Sequence, residues 1–368
     1  MTQFLFFALA KHQRLYFQRL LDETDLTGKV VVPKQLPWPR PWQLPGIVSR
    51  IDWAHVVEEK CQERRVKNKY EGGLYRLLLR LELAWMALRA NALLKREQPK
   101  TLAMWNGSHR YCQLLLALKP AECGTFFFEN GLLPDTTTLD AKGVNYRNSV
   151  PRDQAFYAHY PEPAEGDAQS EVVLIPRKPR VSNLTPIELP AKFVFIPFQD
   201  DRDTQVRLFS PWVGNMRELF ALGEQLAAAG LTVVFKEHPS SREVYPDLHQ
   251  RTHERLLFAN GNATQQLIED SQFVVTLNST VGLESLLLGK PVLTLGQAFF
   301  NVPGVVMHAD SAEELLAIAQ RFPDWSLDER VKRNFLRYLA HDYCIKGSWQ
   351  NADKAQLQRV ARRMLNQE

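Results

Sequence analysis

The sequence predicts an α/β protein of two doubly wound domains, each a largely parallel sheet wrapped by helices. A chain of 368 residues is long for one hydrophobic core and fits two cores of roughly 150 to 180 residues each. Residues 232–235, 273–277 and 291–295 are short apolar runs rich in Val, Leu and Thr, spaced widely enough for helical crossovers, as buried parallel strands are. Polar residues stand just beyond the first two runs, and in such sheets ligands collect outside the carboxyl ends of the strands.

Residues 4–8 read as a buried strand, 12–21 as the helix crossing back over the sheet, and 29–32 as a second strand. Prolines interrupt backbone hydrogen bonding in LPWPRPWQLPG at 36–46, so this is a loop whose Trp38 and Trp42 cover an apolar edge or line a cleft. Residues 51–95 carry a helical pattern, as one or two helices inserted into or layered over the N-terminal domain. Their Arg64, Arg65, Lys67 and Lys69 form a solvated face, or else meet an anionic glycan or membrane surface. Two further strands, 101–105 and 125–128, end in Asn106-Gly107-Ser108 and Glu129-Asn130-Gly131. The following 132–151, with Asn145, reads as a long polar loop that shapes a sugar site or simply caps turns.

From 160 to 190 the chain is rich in Pro, Glu, Ser and Arg, the composition of a linker. A strand at 192–197, the acidic QDDRDTQ at 199–205 and a helix over 209–229 ending near Gly230 then open the second domain. Past Gly296, a loop and short strand precede a helix over 311–322. Helices over 331–344 and 351–366 complete the second domain or cross back to brace the first. The expected divisions are 1–160 for the N-terminal domain, 161–190 for the linker, 191–330 for the C-terminal domain and 331–368 for the final helices.

Composition is that of an ordinary globular protein, and a net charge of +4 with a pI near 8.8 is too small to imply nucleic acid without an organised basic stripe. Cys61, Cys112, Cys123 and Cys344 are scattered, without metal-ligand or disulfide spacing, and read as buried free thiols in a reducing compartment. The opening apolar run is too short to span a membrane and lacks a basic leader, so a cytoplasmic location is expected.

Asn278-Ser279-Thr280 before VGLESLLL marks a strand-to-helix transition. Helix-start amides and hydroxyls there hold phosphate without a metal, or serve as an ordinary cap. Walker, dinucleotide and clustered His/Cys metal signatures are missing from the sequence, which disfavours ATP-dependent and zinc chemistry. Lys236-Glu237-His238-Pro239 sets a cation, an acid and an imidazole at one strand end, where His238 can donate to a departing phosphate oxygen. Glu284, four residues after Thr280, shares its helix face and suits ribose hydroxyls. Gln199, Asp200, Asp201 and Asp203 crowd just after a strand, as a solvated turn or as site carboxylates. One of these acids as nucleophile, with Glu129 for proton transfer, would suit glycosyl transfer, although spacing alone assigns neither role.

FENG at 128–131, QDDRD at 199–203, KEHP at 236–239, NSTVGLESLLLGKPV at 278–292 and YCIKGSW at 343–349 together resemble the bacterial capsule-polysaccharide synthesis family that contains retaining β-Kdo glycosyltransferases. The resemblance implies two Rossmann-like domains in a GT-B-like arrangement, and transfer of Kdo from CMP-Kdo to a capsule or lipopolysaccharide acceptor by double displacement. It carries the nucleophile to Asp203, the acid to Glu129, the nucleotide-binding HP pair to His238 and Pro239, and the phosphate-contacting turn to Ser279 and Thr280; Lys236, Asn278 and Glu284 are assigned to the nucleotide by their own positions. Asn106, Asn130, Asn145 and Gln199 fall to the acceptor or sugar site. Relatives often carry an aspartate where this chain has Asn130, and the first hundred residues match poorly. Neither a cofactor nor a metal is implied. The implied partners are the nucleotide-sugar donor and a glycan or glycolipid acceptor, with peripheral contact to the inner membrane or to polysaccharide assembly machinery left open. A sugar-nucleotide epimerase or hydrolase, and a non-catalytic polysaccharide-binding or export protein, are the competing readings.

Overall fold

A computed structural model describes residues 2–161, 184–241 and 243–366; most of the expected linker lies outside them. Contacts divide the chain into Met1–Ser149 with Tyr343–Glu368, and Val150–Asp342. The first division therefore falls before the expected 160, because α6 (Gln154–Ala158) belongs with the second unit: Tyr157 packs edge-on against Phe335 at 5.3 Å.

In the first unit β1 (Phe4–Phe7) leads into α1 (Lys11–Asp22) and β2 (Gly28–Val31). Then come α2 (Leu44–Val48), α3 (Trp53–Val66) and α4 (Gly73–Glu97). The expected helical stretch thus breaks into two long helices. Asp52 caps the first by accepting from His55 N–H, Asn68 turns left-handed after it, and Gly72 precedes the second. β3 (Thr101–Trp105), α5 (Arg110–Leu118), β4 (Gly124–Asn130) and β5 (Thr136–Asp140) follow. The expected 132–151 loop is corrected here. Its TTTLD run is β-branched, buries Thr137 and Thr138, and pairs antiparallel with β4.

In the second unit β6 (Val194–Pro197) precedes α7 (Thr204–Phe209) and α8 (Met216–Ala228), where one helix over 209–229 was expected. Ser210-Pro211 separates them, since proline has no N–H to continue the first, and Asn215 caps the second by accepting from Glu218 N–H. Next come β7 (Val233–Lys236), α9 (Pro246–His249), an unanticipated β8 (Leu256–Phe258), α10 (Thr264–Asp270), β9 (Phe273–Thr276) and α11 (Thr280–Leu287). β10 (Val292–Thr294), β11 (Met307–His308), α12 (Ala312–Gln320) and α13 (Glu329–Tyr338) complete it. The expected helix over 331–344 stops at Tyr338. After a wider turn the chain enters β12 (Ile345–Lys346), antiparallel to β5 in the first sheet, and then α14 (Lys354–Met364).

The first sheet runs β12-β5-β4-β3-β1-β2 and the second β11-β10-β9-β6-β7-β8. The second is parallel throughout; in the first only β5 is reversed, running antiparallel to both of its neighbours, β4 and β12. Alternate residues of β1 serve opposite faces: Leu5 and Phe7 pack in one core, Phe4 and Phe6 in another with residues of α1 and α14. Val194 and Ile196 divide from Phe195 in the same way across the second sheet. Such two-sided burial is why these strands read as unbroken apolar runs. All four cysteines are buried and free, as expected.

Winding reverses once in each sheet. β1 continues outward to β2 while β3 pairs on its other side, and β6 continues to β7 and β8 while β9 pairs on its other side. The carboxyl ends of β1/β3 and β6/β9 are therefore the crevices where ligands bind in such sheets.

Two predictions follow from this packing. A β-carbon at Gly223 of α8 would lie 2.3 Å from Cζ of the fully buried Phe235. Gly223→Ala should cost about 1–3 kcal/mol, read as a lower urea midpoint of unfolding. His109 caps α5, its Nδ1 accepting from Tyr111 N–H at 3.2 Å; burial, with Arg110 and Lys60 nearby, pushes its pKa from 6.5 down to about 4. Unfolded chains then bind the proton first, so stability is present above 6.5 and is lost as pH falls toward about 4. Thermal melts across that window should show a smaller loss for His109→Asn, which keeps a capping acceptor without the titration.

Candidate functional site

At the second crevice Gln199, just past β6, and Asn278, just past β9, are both buried and meet directly. Gln199 Nε2 donates to Asn278 Oδ1 at 3.0 Å, and Asn278 N–H donates to Gln199 Oε1 at 3.3 Å. Asn278 Nδ2 also donates to the carbonyls of Gln205 and Phe209 at 3.0 and 3.1 Å, which fastens α7 to the end of β9. Both side chains are thus committed to holding the crevice in shape.

The acids after Gln199 separate by role. Asp200 Oδ1 accepts from Arg202 N–H at 3.0 Å and closes the turn. Asp201 Oδ1 accepts from Met216 N–H at 2.8 Å at the start of α8, and burial pushes its carboxyl above the usual aspartate range. Asp203 is exposed and spends one oxygen capping α7, accepting from Gln205 N–H at 2.9 Å. Arg202 Nη2 pairs with Glu243 at 2.8 Å and Arg207 Nε donates to Arg202 O at 3.3 Å, while Arg202 Nε and Arg207 Nη1 are buried without a hydrogen-bond partner among the described residues.

At the end of β7, Lys236 Nζ donates to the carbonyls of Asn260 and Asn262 at 2.8 and 2.7 Å, and burial lowers its pKa. Two of its three donors therefore hold the turn after β8. Glu237 pairs with His249 at 2.6 Å, whereas His238 and Pro239 enter a turn in which Ser241 N–H donates to His238 O. Ser240 N–H reaches His238 Nδ1 at 3.4 Å, a geometry that leaves the proton of a neutral ring on Nε2. Ser279 caps α11 by accepting from Val281 N–H at 3.2 Å, next to Thr280; Glu284 lies one turn further on. A β-carbon at Gly282 would come within 2.8 Å of Phe300, so glycine is what lets this helix start lie close.

At the first crevice the end of β3 meets the end of β4. Asn106, held at φ +59°, donates from Nδ2 to Glu129 Oε2 at 2.7 Å, and Asn130 N–H donates to Glu129 Oε1 at 2.9 Å. Asn130 Oδ1 accepts from Trp349 Nε1 at 2.8 Å. Trp349 packs on Trp105 at 4.5 Å and lies 5.4 Å from the ring of His12. Asn145 does not join this group. β5 runs antiparallel and carries the chain away from the edge bearing Glu129, and the following loop closes on Asp140 through Lys142, Gly143 and Ser149.

His12 and Trp349 were not among the candidates read from the sequence. His12 follows β1 at the winding reversal, so the rule that selected Asn106 and Asn278 would have selected it too. Trp349 sits in the YCIKGSW motif, but only the return of β12 to the first sheet brings it to Asn130. Among the described residues, no group of three or more His, Cys, Asp and Glu is placed to hold a metal ion.

The fold and these strand-end clusters define an α/β protein of two sheets with polar residues gathered at the carboxyl ends of parallel strands. Residues 176–349, just under half of the chain, match the family described as capsule polysaccharide biosynthesis protein. Protein FixF of Sinorhizobium fredii is 37% identical over 262 residues, covering 70% of this chain and 63% of the relative. The capsule polysaccharide export protein KpsS of Escherichia coli is 27% identical over 172 residues, 44% of this chain and 42% of the relative. The chain thus spans less than two thirds of the length of these relatives. Among solved structures, Thermosulfurimonas dismutans KpsC, a beta Kdo 2,7 transferase, has the same fold at 12% identity. Its TM-score is 0.54, with 98% of this chain and 99% of that one covered.

Asn278→Ala should strand Gln199 Nε2 and remove one donor each from the carbonyls of Gln205 and Phe209, at about 1–3 kcal/mol for a buried group left unpaired. Hydrogen exchange should quicken over 204–209 while the strands of the second sheet keep their protection.

Proposed function

We propose that this protein is a retaining β-Kdo glycosyltransferase of GT-B-like arrangement that moves Kdo from CMP-Kdo to a surface-polysaccharide or lipopolysaccharide acceptor. The observation that carries the reading is the sorting of the QDDRD acids. Asp200 and Asp201 are used by the backbone, while Asp203 stays exposed at the start of α7 with one oxygen spent as the helix cap. An exposed carboxylate held in place at a helix start suits nucleophilic attack on a sugar carbon. The family match and the fold shared with a Kdo transferase agree with it.

In this mechanism an Asp203 oxygen bonds to the anomeric carbon as the bond from that carbon to the CMP phosphate oxygen breaks, its electron pair leaving with CMP. His238, through Nε2–H, and the helix start at Ser279 and Thr280 hold the departing phosphate, while Glu284 serves the ribose. Lys236 acts on the phosphate mainly through its charge, because most of its donors are engaged. An acceptor hydroxyl then attacks the same carbon, gives its proton to Glu129 and releases Asp203, so two inversions give net retention. Asn106 and the Asn130 amide orient Glu129, and Gln199 and Asn278 keep the Asp203 segment in place.

Purified protein with CMP-Kdo and extracted surface-glycan acceptors should form an acceptor-linked Kdo product. Asp203→Asn should fold, bind CMP and lose roughly 10³-fold or more in transfer, and Glu129→Gln about 10²–10⁴-fold. Near-normal turnover by the Asp203 variant removes it as nucleophile. CMP release or sugar rearrangement without an acceptor product would instead indicate a hydrolase or epimerase.

A further inference from the structure

The longest helix of the first unit leaves an apolar stripe uncovered. Leu74, Leu77, Leu78, Leu81 and Trp85 of α4 recur at three- and four-residue spacing, and all are exposed; the leucines are 56–65% open to solvent. This stripe is about 16 Å long. The proline-rich loop continues it, with Trp38 and Trp42 at 83% and 75% exposure, so neither covers an apolar edge as one reading of the sequence had it. Trp38 stands edge-on to Trp85 at 6.3 Å, and Arg89 ties the loop to the helix by donating to Pro37 O at 3.2 Å. Asn91 adds a second tie, to Gln43 at 2.7 Å. Trp38 is therefore held beside the end of the stripe, and Trp42 stands exposed on the same fastened loop.

The charges around the stripe have one sign to spare. Glu58 and Glu71 are matched by Arg65 and Arg76, Glu63 by Lys60 and Lys67, and Glu82 by Arg110 at 2.9 Å. Exposed Arg40, Lys69 and Arg80 take part in none of the ion pairs among the described residues. A leucine face with tryptophans along one side and uncompensated cations at its margin is the chemistry of a surface that lies on anionic lipid. Leucines enter the acyl boundary, indole rings sit at headgroup depth, and Lys and Arg meet the anionic headgroups. A second copy of this chain would bring like charges together across a two-fold axis.

From this we infer that the α4 stripe and the Trp38/Trp42 loop form a docking surface for an anionic lipid bilayer, holding the protein flat at a membrane surface. Among the described residues no helix is long and apolar enough to cross a membrane. The inference goes beyond the proposed reaction, and its readout does not use catalysis.

The full chain should co-sediment with vesicles of phosphatidylcholine containing about one third phosphatidylglycerol, and about tenfold less with phosphatidylcholine alone. Raising salt from about 0.1 M toward 1 M should weaken the binding. Leu77→Gln with Leu81→Gln should lower it about tenfold without moving the melting temperature, since both side chains are already exposed. Arg40→Glu with Arg80→Glu should abolish the preference for phosphatidylglycerol. In the unaltered protein, lipids brominated along the acyl chain should quench tryptophan fluorescence. Equal binding to both vesicle types, or no quenching, overturns the inference. So does a wild-type dimer that ignores vesicles and is split by the leucine substitutions.

Discussion

The second unit depends on one buried contact, the reciprocal hydrogen bonds between Gln199 and Asn278. Where a parallel sheet reverses its winding, the two central strands send their following loops apart and leave a gap between strand ends. Such a gap cannot be filled by apolar side chains without burying bare carbonyls. Here two side-chain amides fill it, each both donating and accepting, and Asn278 also takes up the carbonyls of Gln205 and Phe209. Phe209 O accepts in addition from Gln297 N–H at 2.7 Å, which draws the end of β10 into the same knot. The crevice is thereby held open and polar at one cost in buried amides, all of them paired.

A comparable device secures the first unit, with a carboxylate in place of the amides. Asp140 is almost fully buried at the end of β5 and accepts from Lys142 N–H, Gly143 N–H, Ser149 N–H, the Ser149 hydroxyl and Tyr343 O–H at 2.6–3.1 Å. Five donors suffice to keep a buried carboxylate satisfied. Because one of them is Tyr343, the returning segment is anchored where β12 begins, and Trp349 follows to hold Asn130. The geometry around Glu129 therefore rests on residues more than two hundred positions later in the chain.

Crowded acids need not share a function. In QDDRD the three aspartates lie within four residues, yet one closes a turn, one is half-buried against α8 and one faces solvent at a helix start. What distinguishes them is which backbone amide each reaches, a matter of where α7 and α8 begin. The same segregation explains Lys236, whose position at a strand end invites a ligand role although its ammonium group is largely turned to the carbonyls behind it.

Read alone, the residues determined the α/β class, the parallel runs at β6, β7, β9 and β10 and the carboxyl-end position of Glu129, Asp203, His238 and Ser279. All of these rest on local signals: apolar runs with β-branched residues, followed by a polar residue at a strand end. Burial of the four thiols was legible for the same reason. Only the tertiary structure decided what requires distant partners. A three-residue β8 is too short for a pattern, and β5 forms because β4 and β12 offer it hydrogen bonds, not because TTTLD must be a strand. The meeting of Gln199 with Asn278, the arrival of Trp349 beside Asn130, and the exclusion of Asn145 from that group depend on pairing across 79, 219 and several strand registers of chain. Hydrophobic periodicity records which side of an element is buried, but carries no information about which other element buries it.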